Sequence, residues 1–229
     1  DWSTFERQMQ QAFTHHPSLM EEASIKTAKA LFETFANAKE YGSIIQPEIS
    51  LEELNMLEKT LDEMAQQADL MDFVAQADAI VLMETLRPLI RQCRGLVYKY
   101  HTVVTNPPYM GNNNMDAPLI QYAKDYYPDS KLDLFAMMIE RCRDFVKDNC
   151  FFSLITMHSW MFLGSFDTLR ESLLEKELIN MLHLGSHTFN NDVGTIVQNA
   201  AFVYRNSDLS GHIVPFIRLV DYTTSEEKE

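Results

Sequence analysis

Positive charge is what this sequence has least of. Against 33 aspartates and glutamates stand only 19 lysines and arginines, a net charge of −14 over 229 residues. So acidic a chain does not grip a phosphate backbone by itself, although DNA stays open as a substrate if another segment supplies the basic grip. Cysteine is scarce as well. Cys93, Cys142 and Cys150 form no close pair and no C-x-x-C, which speaks against a disulfide framework and fits free, partly buried thiols in a reducing cytoplasm. No apolar run approaches the roughly 18 residues that span a bilayer, and no signal peptide is visible, so no membrane partner is expected. An initiating methionine is missing too, and Asp1 raises the expectation of a piece cut from a longer chain. What remains is an ordinary globular composition, 46% hydrophobic and 23% charged, long enough for one large domain or two small ones.

The pattern changes near residue 95, which divides the chain into an expected helical region, 1–95, and a second region, 96–229. In the first, Ser18-Leu-Met-Glu21 and Ser50-Leu-Glu-Glu53 read as capping boxes at helix starts. Leu54, Leu57, Leu61, Met64 and Ala68 recur at helical spacing after the second. A further helix is expected from Asp72 to about Arg94, with Phe73, Ala77, Ile80 and Val81 as its stripe and a bend at Pro88. Gly42 to Pro47 reads as a loop, and the methionines as core filler.

After residue 96 strands and helices alternate. "GLVYKYHTVVT" ends in a strand expected to be buried, "KLDLFAMMIERCRDFVKD" is a helix, and "CFFSLITM" is a strand. "FDTLRESLLEKE" and "LINMLHL" follow as helix and strand, then "TIVQNAAFVYR" and "HIVPFIRLV" as two strands with no helix between. The fold class expected is therefore α/β: a partial Rossmann-like sheet, mainly parallel, with the last two strands as an antiparallel edge.

In such sheets ligands bind beyond the carboxyl ends of the strands. Asn106-Pro107-Pro108-Tyr109 stands at one of those ends, expected to be central. By average residue usage this tetrapeptide arises by chance in a chain this long on the order of once in a thousand, so an ordinary proline turn explains it poorly. Its chemistry suits an amine conjugated to a ring, such as N6 of adenine, whose delocalised lone pair is a feeble nucleophile. Two acceptors aimed at the two amine hydrogens, the Asn106 side-chain oxygen and the Pro107 carbonyl, localise that lone pair. Pro107 and Pro108 hold the backbone rigid, and Tyr109 offers a face on which a flipped base stacks.

These residues resemble the catalytic motif of S-adenosylmethionine-dependent amino-methyltransferases. The blocks "NPPYMG", "YPDSKLDLFAMMIERC", "LITMHSWMFLGSFDTLRESLL", "MLHLGSHTF" and "VQNAAFVYRN", in order over about residues 97 to 206, are similar to the adenine-specific DNA methyltransferases of BREX phage-defence systems, the PglX type. The resemblance implies an adenine N6 methyltransferase acting on double-stranded DNA with a flipped adenine, S-adenosylmethionine as donor, and a restriction-modification or phage-defence role. Asn106, Pro107, Pro108 and Tyr109 would be the catalytic loop, Phe189 would pack on the other face of the base, and Asp133, Leu134 and Phe135 would line the cofactor side. Core packing accounts equally for Leu134 and Phe135, and Phe189 could simply plug the sheet edge.

One departure stands out. The family binds its donor with a glycine-rich turn ahead of N-P-P-Y, and the seven glycines here never fall as G-x-G. An internal segment, starting after the cofactor loop and ending before the target-recognition domain, is therefore expected, inactive on its own. Two other readings remain: a methyltransferase for protein glutamine or another nucleic acid, disfavoured by "SWMFL" and "HLGSHTF", and a non-catalytic helical module on a degenerate core. The acidic helical region is a candidate surface for other phage-defence proteins. No metal is expected: His183 and His187 are separated by Gly185 and lack a third ligand. His15-His16 reads as solvated surface, and "YAKDYYPDSK" as a surface loop or a contact to DNA backbone.

Overall fold

The structure, a computed structural model, describes residues 7, 22–67, 73–189, 197–209, 213–222 and 224–228. The chain divides into two compact units, Asp1–Tyr98 and Lys99–Glu229.

In the first unit three helices, α1 (Glu22–Thr34), α2 (Leu51–Gln67) and α3 (Phe73–Val97), share one apolar cluster. The capping box at the start of α2 is formed. The Glu53 amide donates to Ser50 Oγ at 3.1 Å, and the Ser50 amide donates to Glu53 Oε2 at 2.8 Å. Those reciprocal bonds hold the Glu53 carboxyl below its ordinary pKa. Leu54, Leu57, Leu61 and Met64 are all buried, as their spacing predicts. Each such side chain contributes about 1.5–3 kcal/mol. The box at Ser18 and Ala68 both lie outside the described residues.

Helix α3 departs from expectation. Phe73, Ala77, Ile80 and Val81 are exposed, Phe73 by 85%, while Ala79, Leu82, Leu86, Ile90 and Cys93 join the core. With apolar residues on more than one side, periodicity alone does not settle which side is buried. The side that meets α1 and α2 wins. Pro88 lies inside the continuous helix.

Among the described residues the second unit holds a five-stranded sheet with helices. Its strands are β1 (Tyr100–Thr105), β2 (Val146–Met157), β3 (Glu177–Gly185), β4 (Asn199–Arg205) and β5 (Phe216–Arg218). Helix α4 (Ala117–Tyr126) and helix α5 (Leu134–Phe145) lie between β1 and β2, and α6 (Asp167–Leu174) between β2 and β3. The order across the sheet is β1-β2-β4-β3-β5. β1 runs parallel to β2 and β3 parallel to β5, and β4 is antiparallel to both its neighbours. The α/β class is as expected, and the sheet is mixed, with four of its five strands running one way and β4 against them.

Three details differ. First, the antiparallel strand is internal and does not pair with β5. Ala200, Phe202 and Tyr204 of β4 are buried, with Asn199 and Ala200 wholly enclosed, so this strand gains more between β2 and β3 than at an edge. The three residues of β5 are exposed and take the edge instead. Second, β1 is neither central nor buried: it ends the described sheet, and Val104 is 71% exposed. Third, "YAKDYYPDSK" is only partly a loop. Its first five residues close α4, a helix started by Asp116, whose carboxylate accepts from the Leu119 amide at 2.9 Å. Tyr127 is wholly buried.

The core of this unit gathers Phe135, Ile139 and Cys142 of α5, Phe152 and Leu154 of β2, Leu169 and Leu173 of α6, and Phe202 and Tyr204 of β4. Phe152 and Tyr204 stack with ring centroids 5.3 Å apart. Cys93 and Cys142 are buried free thiols, pushed by desolvation up to about 11 and about 12, and Cys150 is also free. Among the described residues no helix is long and apolar enough to cross a membrane.

Candidate active site

β1 delivers Asn106, Pro107, Pro108 and Tyr109 at its carboxyl end, the end at which parallel α/β sheets hold their ligands. Asn106 and Pro108 are exposed, Pro107 is buried, and Tyr109 is half-buried. A proline that is itself buried fixes the outward path of the loop, because its ring can neither rotate nor leave.

The loop is fastened at its far side by Asp133. That carboxylate accepts the Met110 amide at 3.1 Å and the Phe135 amide at 3.3 Å, so one side chain both caps α5 and holds the strand exit. Backbone bonds repeat the link: Leu134 donates to the Met110 carbonyl at 3.0 Å and Asn112 to the Leu132 carbonyl at 2.9 Å. Burial raises the pKa of Asp133 although three backbone amides oppose the shift. Leu134 and Phe135 point into the core. The Phe135 ring meets the Tyr109 ring edge-on, 6.1 Å between centroids at 85°.

Tyr109 is held at its other end too. Its hydroxyl oxygen accepts from Asn199 Nδ2 at 2.8 Å, and its proton faces Asn106 Oδ1 at 3.4 Å. Desolvation raises its pKa, with the Asn199 bond opposing the shift. Asn199 opens β4, is wholly buried, and also donates from Nδ2 to the Thr156 carbonyl of β2 at 3.2 Å. Thr156 in turn accepts from the Trp160 indole at 3.1 Å. Sequence reading passed over Asn199. Its one signal is an amide heading the apolar run Ala200–Val203 of "NAAFVYR".

A second unforeseen pair lies at the same end of the sheet. His158, just after β2, and His183, in β3, are joined Nδ1 to Nε2 at 2.8 Å, and the exposed Phe162 lies against both rings. Burial lowers both histidine pKa values, and the neighbouring His158 and Arg218 lower that of His183 further, since each would repel a second positive charge. His183 is thus partnered by His158. No group of three or more histidine, cysteine, aspartate or glutamate side chains that could hold a metal occurs among the described residues. Gly185 follows, with φ of +70° and room for no Cβ, since one would sit 2.9 Å from the Val220 backbone. This turn and His187, at φ of +59°, lead to Phe189. Phe189 is half-buried.

As for a donor site, the residues expected to line it are otherwise engaged. Asp133 holds two amides, Leu134 and Phe135 are in the core, and no two glycines are spaced G-x-G. Asp133 Oδ1 and the Leu134 and Phe135 side chains are thus held by the chain itself.

Residues 16–189 match the family model of the Eco57I restriction-modification methylase. Among curated proteins, the chain is 40% identical over 195 residues to the adenine-specific methyltransferase PglX of Lacticaseibacillus casei (strain Zhang), covering 85% of this chain and 16% of that protein. It is 36% identical over 210 residues to the adenine-specific methyltransferase BrxX of Escherichia coli O9:H4 (strain HS), covering 91% and 17%. The chain therefore spans about a sixth of the length of these relatives. Among solved structures, the DrdV–DNA complex aligns with a TM-score of 0.48 at 15% identity, covering 79% of this chain and 22% of that one. With three quarters of its residues inside the matched span and an Asn-Pro-Pro-Tyr loop at a strand's carboxyl end, the chain belongs to the Eco57I restriction-modification methylase family.

Proposed function

We propose that this chain is the target-base half of an S-adenosylmethionine-dependent adenine-N6 DNA methyltransferase, serving a restriction-modification or phage-defence system of the BREX kind. One observation carries the reading. Asn106 presents an exposed amide beyond a parallel strand, beside a tyrosine whose ring is braced at both its edge and its hydroxyl. An adenine turned out of its duplex would lie against Tyr109, where base–aromatic stacking contributes roughly 1–3 kcal/mol. Asn106 Oδ1 and the Pro107 carbonyl would accept the two N6 hydrogens. Their pull draws the nitrogen toward tetrahedral geometry and localises its lone pair toward an electrophilic methyl carbon. The Pro107 carbonyl stands on a buried proline before reaction, so little reorganisation opposes the step on that side.

Family membership supports methyl transfer, and the names of the two curated relatives support adenine as the base. Phe189 is proposed to cover the other face of the base. Since Asp133, Leu134 and Phe135 are engaged in the loop clamp and the core, the donor is assigned to residues other than these. The first unit, acidic and helical, is proposed as a surface for other defence proteins. The test is methylation of genomic DNA in cells carrying the complete protein with Asn106 replaced by Ala. Near-normal adenine methylation would end the proposal.

A further inference from the structure

We infer that Asn199 is a positioning residue for the target-base loop, acting on Asn106 through the hydroxyl of Tyr109. The inference deepens the proposed function and rests on it, in that Asn106 is taken to receive the target amine.

The direction of every bond in the chain follows from chemistry. The Thr156 carbonyl can only accept, so the atom of Asn199 that faces it at 3.2 Å must be the NH2 group. The same group lies 2.8 Å from the Tyr109 oxygen, which is therefore an acceptor toward Asn199. A phenol has one proton. With its oxygen engaged from one side, that proton is left for Asn106 Oδ1, at 3.4 Å. Such a bond is long for an O–H donor, as catalytic bonds often are before a substrate tightens them.

The consequence falls on the amide of Asn106. That side chain is exposed, and an exposed amide can turn over, exchanging its oxygen for its NH2. An NH2 group facing the target amine would set donor against donor. A proton from Tyr109 selects the orientation with Oδ1 inward, and Oδ1 keeps a second lone pair for the amine. Asn199 is suited to start this relay because it is wholly buried in the middle of the sheet and its orientation is anchored on β2. Its own Oδ1 is buried and has no hydrogen-bond partner among the described residues. The NH2 group alone thus fixes this amide, and a residue needed only for packing there would more simply be apolar.

The test is a double-mutant cycle in the complete protein, using Asn199→Ala, Tyr109→Phe and the pair of changes together. Two quantities are read: the methylation kcat and KM on duplex DNA, and the fluorescence of 2-aminopurine at the target position, which reports base capture without methyl transfer. Each single change is expected to lower kcat about 3- to 10-fold, the share of one hydrogen bond. The double variant is expected to fall no further than Tyr109→Phe alone, because both remove the same relay. The 2-aminopurine signal should stay close to that of the unchanged protein, since the ring face remains. Losses that multiply in the double variant would overturn the relay. If Asn199→Ala does not fold, as judged by its melting curve, Tyr109→Phe still decides: an unchanged kcat overturns the inference. Failure of the underlying function looks different, for then Asn106→Ala itself would methylate normally.

Discussion

Asn199 and Tyr109, ninety positions apart in the chain, meet through one hydrogen bond of 2.8 Å between a buried amide and a half-buried phenol. The Asn106–Tyr109 loop beyond β1 is therefore anchored to the internal strand β4, two places away in the sheet. It is not a free appendage of the strand that carries it.

Asn106→Ala in the complete protein is expected to lower the methylation rate on the order of 10²-fold or more, the effect of removing one preorganised acceptor. Because the side chain is exposed, the melting temperature should barely move. Tyr109→Ala should also weaken capture of the flipped base, and Tyr109→Trp should keep much of the stacking. Single-turnover methylation beside thermal melts separates the two effects.

Asp133→Ala should reach both the fold and the loop. The carboxylate caps α5 and binds the Met110 amide, and loss of a cap costs about 1 kcal/mol. Asp133→Asn retains an acceptor and should recover most of that stability in urea titrations. A full loss of stability with Asn as well would show that charge, not acceptance, is what the site needs.

The chain itself is expected to bind S-adenosylmethionine weakly or not at all. Isothermal calorimetry should show no tight complex, since Asp133, Leu134 and Phe135 are engaged elsewhere and no glycine-rich turn exists in this sequence. A micromolar or tighter affinity would prove this wrong.

The His158–His183 pair predicts a pH dependence. Both folded-state pKa values lie below the ordinary 6.5, so the neutral forms are the ones that favour folding. Their contribution is complete above about pH 6.5 and is lost as the pH falls through the lowered folded values. Protonating both rings would also set two donors face to face across 2.8 Å. Melting temperatures between pH 7.5 and 5.5 should drop more in the unchanged protein than in His158→Gln. Equal slopes would remove the pair from the account.

The site was legible where local chemistry decides it and hidden where distant strands meet. A β-branched run ending in Asn-Pro-Pro-Tyr places the loop at a strand's carboxyl end from sequence alone, and Ser50 with Glu53 places a helix start. Nothing in "NAAFVYR" says that this strand enters between β2 and β3, because strand order is a property of the whole sheet. The roles of Asn199 and His158 depend on that order, so periodicity could not expose them. The stripe chosen for α3 went wrong for a related reason: Ile80 and Val81 are as apolar as Leu82 and Leu86, and only the packing partners distinguish them. Asp133 is expected on the cofactor side from the resemblance alone, and its tie to the Met110 amide, which joins the loop to α5, is visible only in the fold.

The open flank of β1 bears on how this polypeptide behaves in a tube. Val104 stands 71% exposed on a strand whose outer side has no strand beside it among the described residues. Unpaired amides and carbonyls along such a margin are a template for another chain to add to. At millimolar concentration, self-association through β1 would compete with solubility in spite of the net charge of −14, and added salt, by screening that repulsion, would make it worse. A lysine in place of Val104 is the small change that would protect a preparation for spectroscopy.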